Sequence, residues 1–296
     1  MPVLETKDLT KQFGTTHALN GVNMQVEHGE VYGFIGPNGA GKSTTIRILL
    51  GMLKASSGEA TIFGKNVWKD AVDIHRRISY VPGDVNLWPN LTGGEVIDFL
   101  LKLRGKARTT RVQQLIEQFQ LDPTKKCRTY SKGNRQKVAL ITAFAADSDL
   151  YLLDEPTSGL DPLMERVFQD CVQSAKQEGK SILLSSHILS EVERLCDRVA
   201  IIRQGQVIES GTLAQLRHLT RIHVTVETQE QIPALHEQSG VYEIDAHGHT
   251  ASFYADETAL DTVMRYISSF GILKLQSTPL TLEDLFMRHY NDAGEE

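Results

Sequence analysis

The sequence predicts an α/β fold. A wound, mainly parallel core sheet is preceded by an antiparallel β subdomain, interrupted by a helical insertion and followed by a small α+β domain. Three observations carry this. Gly36-Pro37-Asn38-Gly39-Ala40-Gly41-Lys42-Ser43 lies between an apolar strand pattern at 31–35 and a helical pattern at 44–50. Apolar runs separated by helical patterns return at 150–153, 181–184 and 199–202, the alternation that gives a parallel sheet covered on both faces. After about residue 218 the rhythm becomes strand, helix, two strands, helix, strand, which is the βαββαβ order of a ferredoxin-like unit.

Residues 3–13 and 22–35 alternate apolar and polar side chains about a His28-Gly29 turn, so antiparallel strands are expected ahead of the loop. The runs at 59–63 and 78–81 are expected to continue that sheet. In the loop itself, glycines let successive N–H groups converge on an anion, and the following helix adds the positive end of its dipole. Gly36, Pro37, Asn38, Gly39, Ala40, Gly41, Lys42, Ser43 and Thr44 are therefore the expected cradle of a nucleoside triphosphate. The core is of the P-loop NTPase type: Lys42 would neutralise β- and γ-phosphate oxygens and the Ser43 hydroxyl would ligate Mg²⁺.

From 94 to 120 the period turns helical, with Val96, Phe99, Leu100 and Leu103 on one stripe and Val112, Leu115, Ile116 and Phe119 on another. A helical subdomain is thus expected at about 84–148. Further helices are expected at 163–176 and 189–195. The C-terminal pattern predicts strands at 222–226, 242–245, 250–255 and 272–276, helices near 232–238 and at 260–269, and a last helix at 282–289. The expected domains are 1–218 and 219–296.

With 31 Lys and Arg against 37 Asp and Glu, the formal charge is −6, so no global basic field draws the chain to nucleic acid. Cys127, Cys171 and Cys196 are odd in number and widely spaced, which predicts free thiols in a reducing compartment. The first residues lack a basic stretch followed by an apolar one. The longest apolar run, 138–146, is far shorter than the ~20 residues that span a bilayer. A membrane role would act through a partner. Asn90-Leu91-Thr92 reads as a turn, and His247-Gly248-His249, without a third ligand nearby, as a hairpin turn.

Asp154 and Glu155 close the apolar run at 150–153, at the strand end where parallel sheets bind ligands. Neighbouring strand residues point to opposite sides, so the two carboxylates have different tasks. Asp154 would approach Mg²⁺ and Glu155 would polarise the water that attacks the γ-phosphate. Tyr130-Ser131-Lys132-Gly133-Asn134-Arg135-Gln136 opens an apolar helix, and His187 follows the strand end Leu183-Leu184-Ser185-Ser186.

With these motifs in this order, residues 3 to about 218 resemble the nucleotide-binding subunits of ATP-binding cassette transporters. The glycine-rich loop matches Walker A, the strand ending at Asp154 Walker B, Glu155 the catalytic glutamate, and residues 130–136 the Leu-Ser-Gly-Gly-Gln signature. Gly159-Leu160-Asp161 matches the D-loop, His187 the switch histidine and Phe13 the aromatic that stacks on adenine. The resemblance implies an Mg²⁺-dependent ATP hydrolase in which Glu155, His187 and Lys42 are catalytic. It implies a head-to-tail homodimer in which Ser131, Gly133 and Asp161 serve the nucleotide of the other copy. It also implies an integral-membrane permease as partner, placing the chain peripherally on the cytoplasmic face, with residues 88–103 receiving a short permease helix.

Three departures stand out. Lys132 replaces the signature's first glycine, Asn134 its glutamine, and Gly83-Asp84 stands where a magnesium-touching glutamine usually follows the strand ending at Pro82. Asp84 is either a substitute oxygen ligand for Mg²⁺ or a turn carboxylate. Pro82-Gly83-Asp84 and the ending at 278–286 resemble separate-chain cassettes of multidrug or lipid-type exporters. The alternative is a soluble ATP-driven switch on ribosomes or DNA. Such switches usually carry two cassettes or long coiled coils, whereas this chain has one set of motifs and no sustained heptads.

Overall fold

All five residues of the strand Val31–Ile35 are buried, and a strand covered on both faces belongs inside a parallel sheet. In the computed structural model, which describes residues 2–218, 222–256 and 258–279, it pairs in parallel with Arg198–Arg203 on one side and Ser181–Ser186 on the other. The six-stranded sheet runs Gln206–Thr212, Arg198–Arg203, Val31–Ile35, Ser181–Ser186, Leu150–Asp154, Ile78–Val81. Helices Lys42–Leu49, Pro162–Gln177 and Leu189–Leu195 connect its strands.

A four-stranded sheet is interleaved with this one along the first 66 residues. Leu4–Phe13 is antiparallel to Thr16–Val26 and to Ser57–Ile62, and Lys65–Asn66 forms the outer edge. Two expectations are corrected here. Residues 22–35 do not form a pair about His28-Gly29: Thr16–Val26 stays in the antiparallel sheet while Val31–Ile35 crosses into the parallel one. Likewise Ile78–Val81 joins the parallel sheet beside Leu150–Asp154. The physical reason is burial. Thr16–Val26 alternates exposed and buried positions, whereas Val31–Ile35 is apolar on both faces and requires cover on both.

Helices Gly93–Leu103 and Thr110–Gln118 form the insertion, with Lys132–Ala145 packed against both. Gly93–Leu103 is started by a reciprocal cap: the Thr92 hydroxyl accepts from Glu95 N at 3.2 Å and the Glu95 carboxylate accepts from Thr92 N at 2.6 Å. Arg104, at its other end, donates to Ile78 O at 2.6 Å and to the hydroxyls of Ser79 and Ser148, fastening the insertion to the sheet edge. The expected stripe on this helix is half wrong. Val96, Ile97 and Leu101 are buried, while Phe99 and Leu103 face outward, Leu103 being 68% exposed.

The chain divides into two compact units, Met1–Ser210 and Gly211–Glu296. In the second, the sheet runs Val241–His247, Thr250–Ala255, Ile222–Thr228, Ile272–Pro279, antiparallel throughout. That 2-3-1-4 order is the ferredoxin-like split βαβ arrangement. Val224, Val226 and Phe253 of the sheet and Val263 and Ile267 of helix Leu260–Ser268 form its core. The helix expected near 232–238 is reduced to a single 3₁₀ turn, Leu235–Glu237. Pro233 brings no N–H, and Ala234 takes a left-handed φ of 48°, so no α-helical turn can propagate through them. The His247-Gly248-His249 segment is the expected tight hairpin, with φ of 62° at Gly248. Residues 282–289, where a last helix is expected, lie outside the described residues.

Candidate functional site: a phosphate cradle facing a carboxylate, a lysine and a histidine

The parallel register brings three strand ends level. Ile35 lies opposite Ser186, and Ser185 opposite Asp154. Gly36, Glu155 and His187 therefore leave the sheet together, at the carboxyl edge where α/β sheets bind ligands.

The glycine-rich loop follows from close packing. A Cβ on Gly36 would lie 2.3 Å from Ile202 O, and one on Gly41 2.7 Å from Leu19 Cδ2 and 2.9 Å from Ala18 O. Gly41 also holds φ at 115° as N-cap of helix Lys42–Leu49 and offers no side-chain cap. The first N–H groups of that helix, at Lys42, Ser43 and Thr44, consequently have no intrahelical acceptor and remain for an anion. The loop is pinned from behind by Gly205 N donating to Ala40 O at 2.9 Å. Lys42 is only 4% exposed. Its Nζ donates to Gly36 O at 2.6 Å and Pro37 O at 3.1 Å, and it lies 3.5 Å from Glu155 Oε1.

Asp154 and Glu155 diverge as strand geometry requires. Asp154 is buried, and its Oδ1 accepts from Ser185 Oγ at 2.5 Å. Glu155 turns away with φ of 47°, a backbone conformation that costs a non-glycine residue about 1 kcal/mol or more. Its N–H donates to Ser185 O at 3.0 Å. His187 Nδ1 lies 3.4 Å from the same Glu155 Oε1 that Lys42 approaches. One carboxylate oxygen thus has a buried cation on one side and an imidazole on the other.

Ser131 caps helix Lys132–Ala145, its hydroxyl accepting from Asn134 N at 3.2 Å. Gly133 is buried where a Cβ would meet Gly159 O at 2.4 Å. Asp161 caps helix Pro162–Gln177, accepting from Met164 N at 3.0 Å. Phe13 is 50% exposed, which removes it from the core, and Lys11 Nζ sits 4.9 Å from its ring centroid. Gly83 abuts the Asp154–Glu155 corner, where a Cβ would be 3.1 Å from Asp154 O and 3.5 Å from Glu155 Cβ; Asp84, one residue on, is exposed.

Asp154 and Ser43 offer only oxygen. Among the described residues no three His, Cys, Asp or Glu side chains gather into a metal site. A sparse all-oxygen set fits Mg²⁺, which keeps waters and takes phosphate oxygens to complete its octahedron.

Several residues here hold positions that the motifs did not announce. Ser185 orients Asp154. Gln136 Nε2 donates to Pro156 O at 2.9 Å, just past Glu155. Glu191 is buried; its Oε2 accepts from Ser186 Oγ at 2.8 Å and from Thr157 Oγ1 at 3.5 Å. A glutamate sharing the stripe of Val192 and Leu195 in a short helix is the signal that could have found it.

A second feature lies between insertion and sheet edge: an apolar groove of about 480 Å³ lined by residues including Met52, Val85, Leu87, Trp88 and Leu103. Trp88 and Phe99 stack edge to face at 5.3 Å and both are exposed.

Comparison with known proteins gives a consistent set of likenesses. The ABC transporter family profile matches residues 19–158. The bacitracin transport ATP-binding protein BcrA of Bacillus licheniformis is 32% identical, over 97% of this chain and 96% of that protein. The daunorubicin/doxorubicin resistance ATP-binding protein DrrA of Streptomyces peucetius is 37% identical, over 72% of this chain and 66% of that one. Among solved structures, an ATP-binding subunit of an ABC transporter superposes with a TM-score of 0.68 at 33% identity, covering 73% of this chain and 92% of its own. A bacterial ABC transporter cassette solved as a dimer gives 0.66 at 25% identity, covering 71% and 98%.

Proposed function

This chain belongs to the ABC transporter family as an ATP-binding and ATP-hydrolysing subunit, and on that premise we propose that it drives an exporter by closing head to tail with a second copy around two nucleotides. The observation that carries this reading is the meeting of Lys42 and His187 on one oxygen of Glu155, beside an uncapped helix start. Lys42 and the loop N–H groups hold the phosphates. Glu155 takes up the proton of the attacking water, and His187 steadies Glu155 and the terminal phosphate. Phosphoryl transfer to water needs positioning and charge stabilisation, without a covalent enzyme intermediate. Ser131 and Gly133 present a capped helix start to the phosphate held by the other copy, Asp161 reaches the same interface, and Phe13 offers its exposed face to adenine.

Ser43 and Asp154 would hold Mg²⁺, which neutralises charge on the phosphate oxygens. Asp84 stands in for the missing glutamine. Mg²⁺ activation of hydrolysis is expected to shift in Asp84→Ala, and an unchanged activation curve would make Asp84 a turn carboxylate.

The apolar groove about Trp88 and Leu103 is the seat of a cytoplasmic permease helix, and the chain would work peripherally on the membrane. No helix among the described residues is long and apolar enough to cross one. Likeness to bacitracin-transport and drug-resistance proteins favours export over the soluble-switch alternative. Residues 1–218 make the nucleotide-binding domain and 219–296 a small accessory domain.

Glu155→Gln tests the central step. It is expected to bind ATP, to hydrolyse it on the order of 10² times or more slowly, and to accumulate as a dimer visible by light scattering. Turnover near that of the wild type, or lone chains at saturating Mg-ATP, would overturn the reading.

A further inference from the structure

Lys132 occupies a signature position where the family usually has glycine, and its side chain is already engaged. Its Nζ donates to Ser158 Oγ at 2.6 Å, and its Cγ and Cδ lie 3.2 Å from where a Cβ on Gly159 would be. The next residues grip the same segment: Gly133 packs against Gly159 O, and Gln136 donates to Pro156 O. The first turn of helix Lys132–Ala145 is therefore stapled to residues 156–159, which leave directly from Glu155. On the other side of that segment Thr157 faces Glu191, whose carboxylate also holds Ser186, the residue before His187.

We propose that Lys132 is a positioning residue: its bridge to Ser158 locks the 156–159 segment onto the signature turn and so sets Glu155 of the same chain. The turn that meets the other copy's nucleotide is thereby tied to the base that serves the chain's own. The inference rests on the ATPase reading above. Glycine at 132 could not make this bridge, because it has no side chain to reach Ser158; from the signature turn, Gly133 and Gln136 would be left to hold the segment. The competing use of Lys132, as a cation on the other copy's phosphate, makes the opposite demand on Ser158. A phosphate contact needs no serine.

The test uses the full chain with Mg-ATP as substrate and compares Lys132→Met, Lys132→Arg, Ser158→Ala and the Lys132→Met/Ser158→Ala double variant. The bridge predicts that Lys132→Met and Ser158→Ala each lower kcat about three- to tenfold, the range of one lost hydrogen bond. KM should stay within about twofold, and the double variant should be no worse than either single one, since both remove the same interaction. Lys132→Arg, which keeps a donor, should recover most of the rate. In a Glu155→Gln background, Lys132→Met should still dimerise with ATP. The proposal is overturned if Ser158→Ala turns over like the wild type, if the losses multiply in the double variant, or if Lys132→Met chiefly raises KM and weakens dimerisation in a salt-dependent way. Absence of ATPase activity in the wild type would instead count against the functional reading on which the bridge rests.

Discussion

Glu191 holds a carboxyl group in a place that resists ionisation. Burial pushes its pKa up to about 7, against the pull of the Ser186 and Thr157 hydroxyls and with a further push from Glu165, and its buried Oε1 has no hydrogen-bond partner among the described residues. The folded chain therefore keeps this proton at a pH where an unfolded chain, titrating near 4.5, has lost it. Stability from this group is complete below about 4.5 and drains away as pH rises through about 7. The gap between the two values corresponds to about 3 kcal/mol. Glu191→Gln cannot ionise, so urea unfolding is expected to show its stability gaining on the wild type by up to about 3 kcal/mol between pH 4.5 and 8; a constant difference would refute the burial argument. Residues of this kind were the hardest to read in sequence. Lys42, Glu155 and His187 were legible because each sits in a spaced motif, Glu155 and His187 just past a strand end and Lys42 at the start of the helix after the loop. Glu191 and Ser185 were not, because their importance comes from contacts made across the fold, such as the hydrogen bond from Ser185 to Asp154, 31 positions away.

Elements succeed or fail in sequence according to how many faces they bury. Leu150–Asp154 and Ser181–Ser186 are buried along their whole lengths, and their apolar runs announced them. The helix Gly93–Leu103 misled because its outward residues, Phe99 and Leu103, are as apolar as its inward ones; periodicity cannot separate a core stripe from a docking stripe when both are greasy. Its start was legible within one residue, at 94, but its cap only as a turn at Asn90-Leu91-Thr92, although Thr92 and Glu95 form a full capping box. Thr92→Ala is expected to cost about 1 kcal/mol of unfolding free energy, measured in urea, while the phosphate loop keeps its nucleotide affinity. No measurable loss would mean the Lys125 and Pro123 carbonyls, which accept from Gly93 and Gly94, suffice to start the helix. At the loop, Gly36→Ala drives a Cβ into Ile202 O. Overpacking of about 1–3 kcal/mol is expected, together with weakened ATP binding by equilibrium titration, since the backbone that must give way is the cradle itself.

At the scale of the whole molecule, each of the two units holds apolar clusters among its described residues. One cluster runs from Val3 to Val207 and takes in both large sheets; another, drawn wholly from the second unit, lies between Ile222 and Ile267. Cooperativity follows packing, so two compact units need not unfold as one. Only the unit Met1–Ser210 contains the phosphate loop, Asp154, Glu155 and His187. A ligand bound to the folded form alone stabilises what it touches by about 2.7 kcal/mol at a hundred times its Kd. Calorimetry of the Glu155→Gln variant is therefore expected to show two transitions, of which Mg-ATP raises one and leaves the other in place. A second copy recruited by ATP should raise the same transition further as protein concentration increases, because dimerisation is itself linked to folding of that unit. If Mg-ATP moves a single transition that carries the enthalpy of the entire chain, the C-terminal unit is welded to the nucleotide-binding one and its role as an independent accessory domain fails.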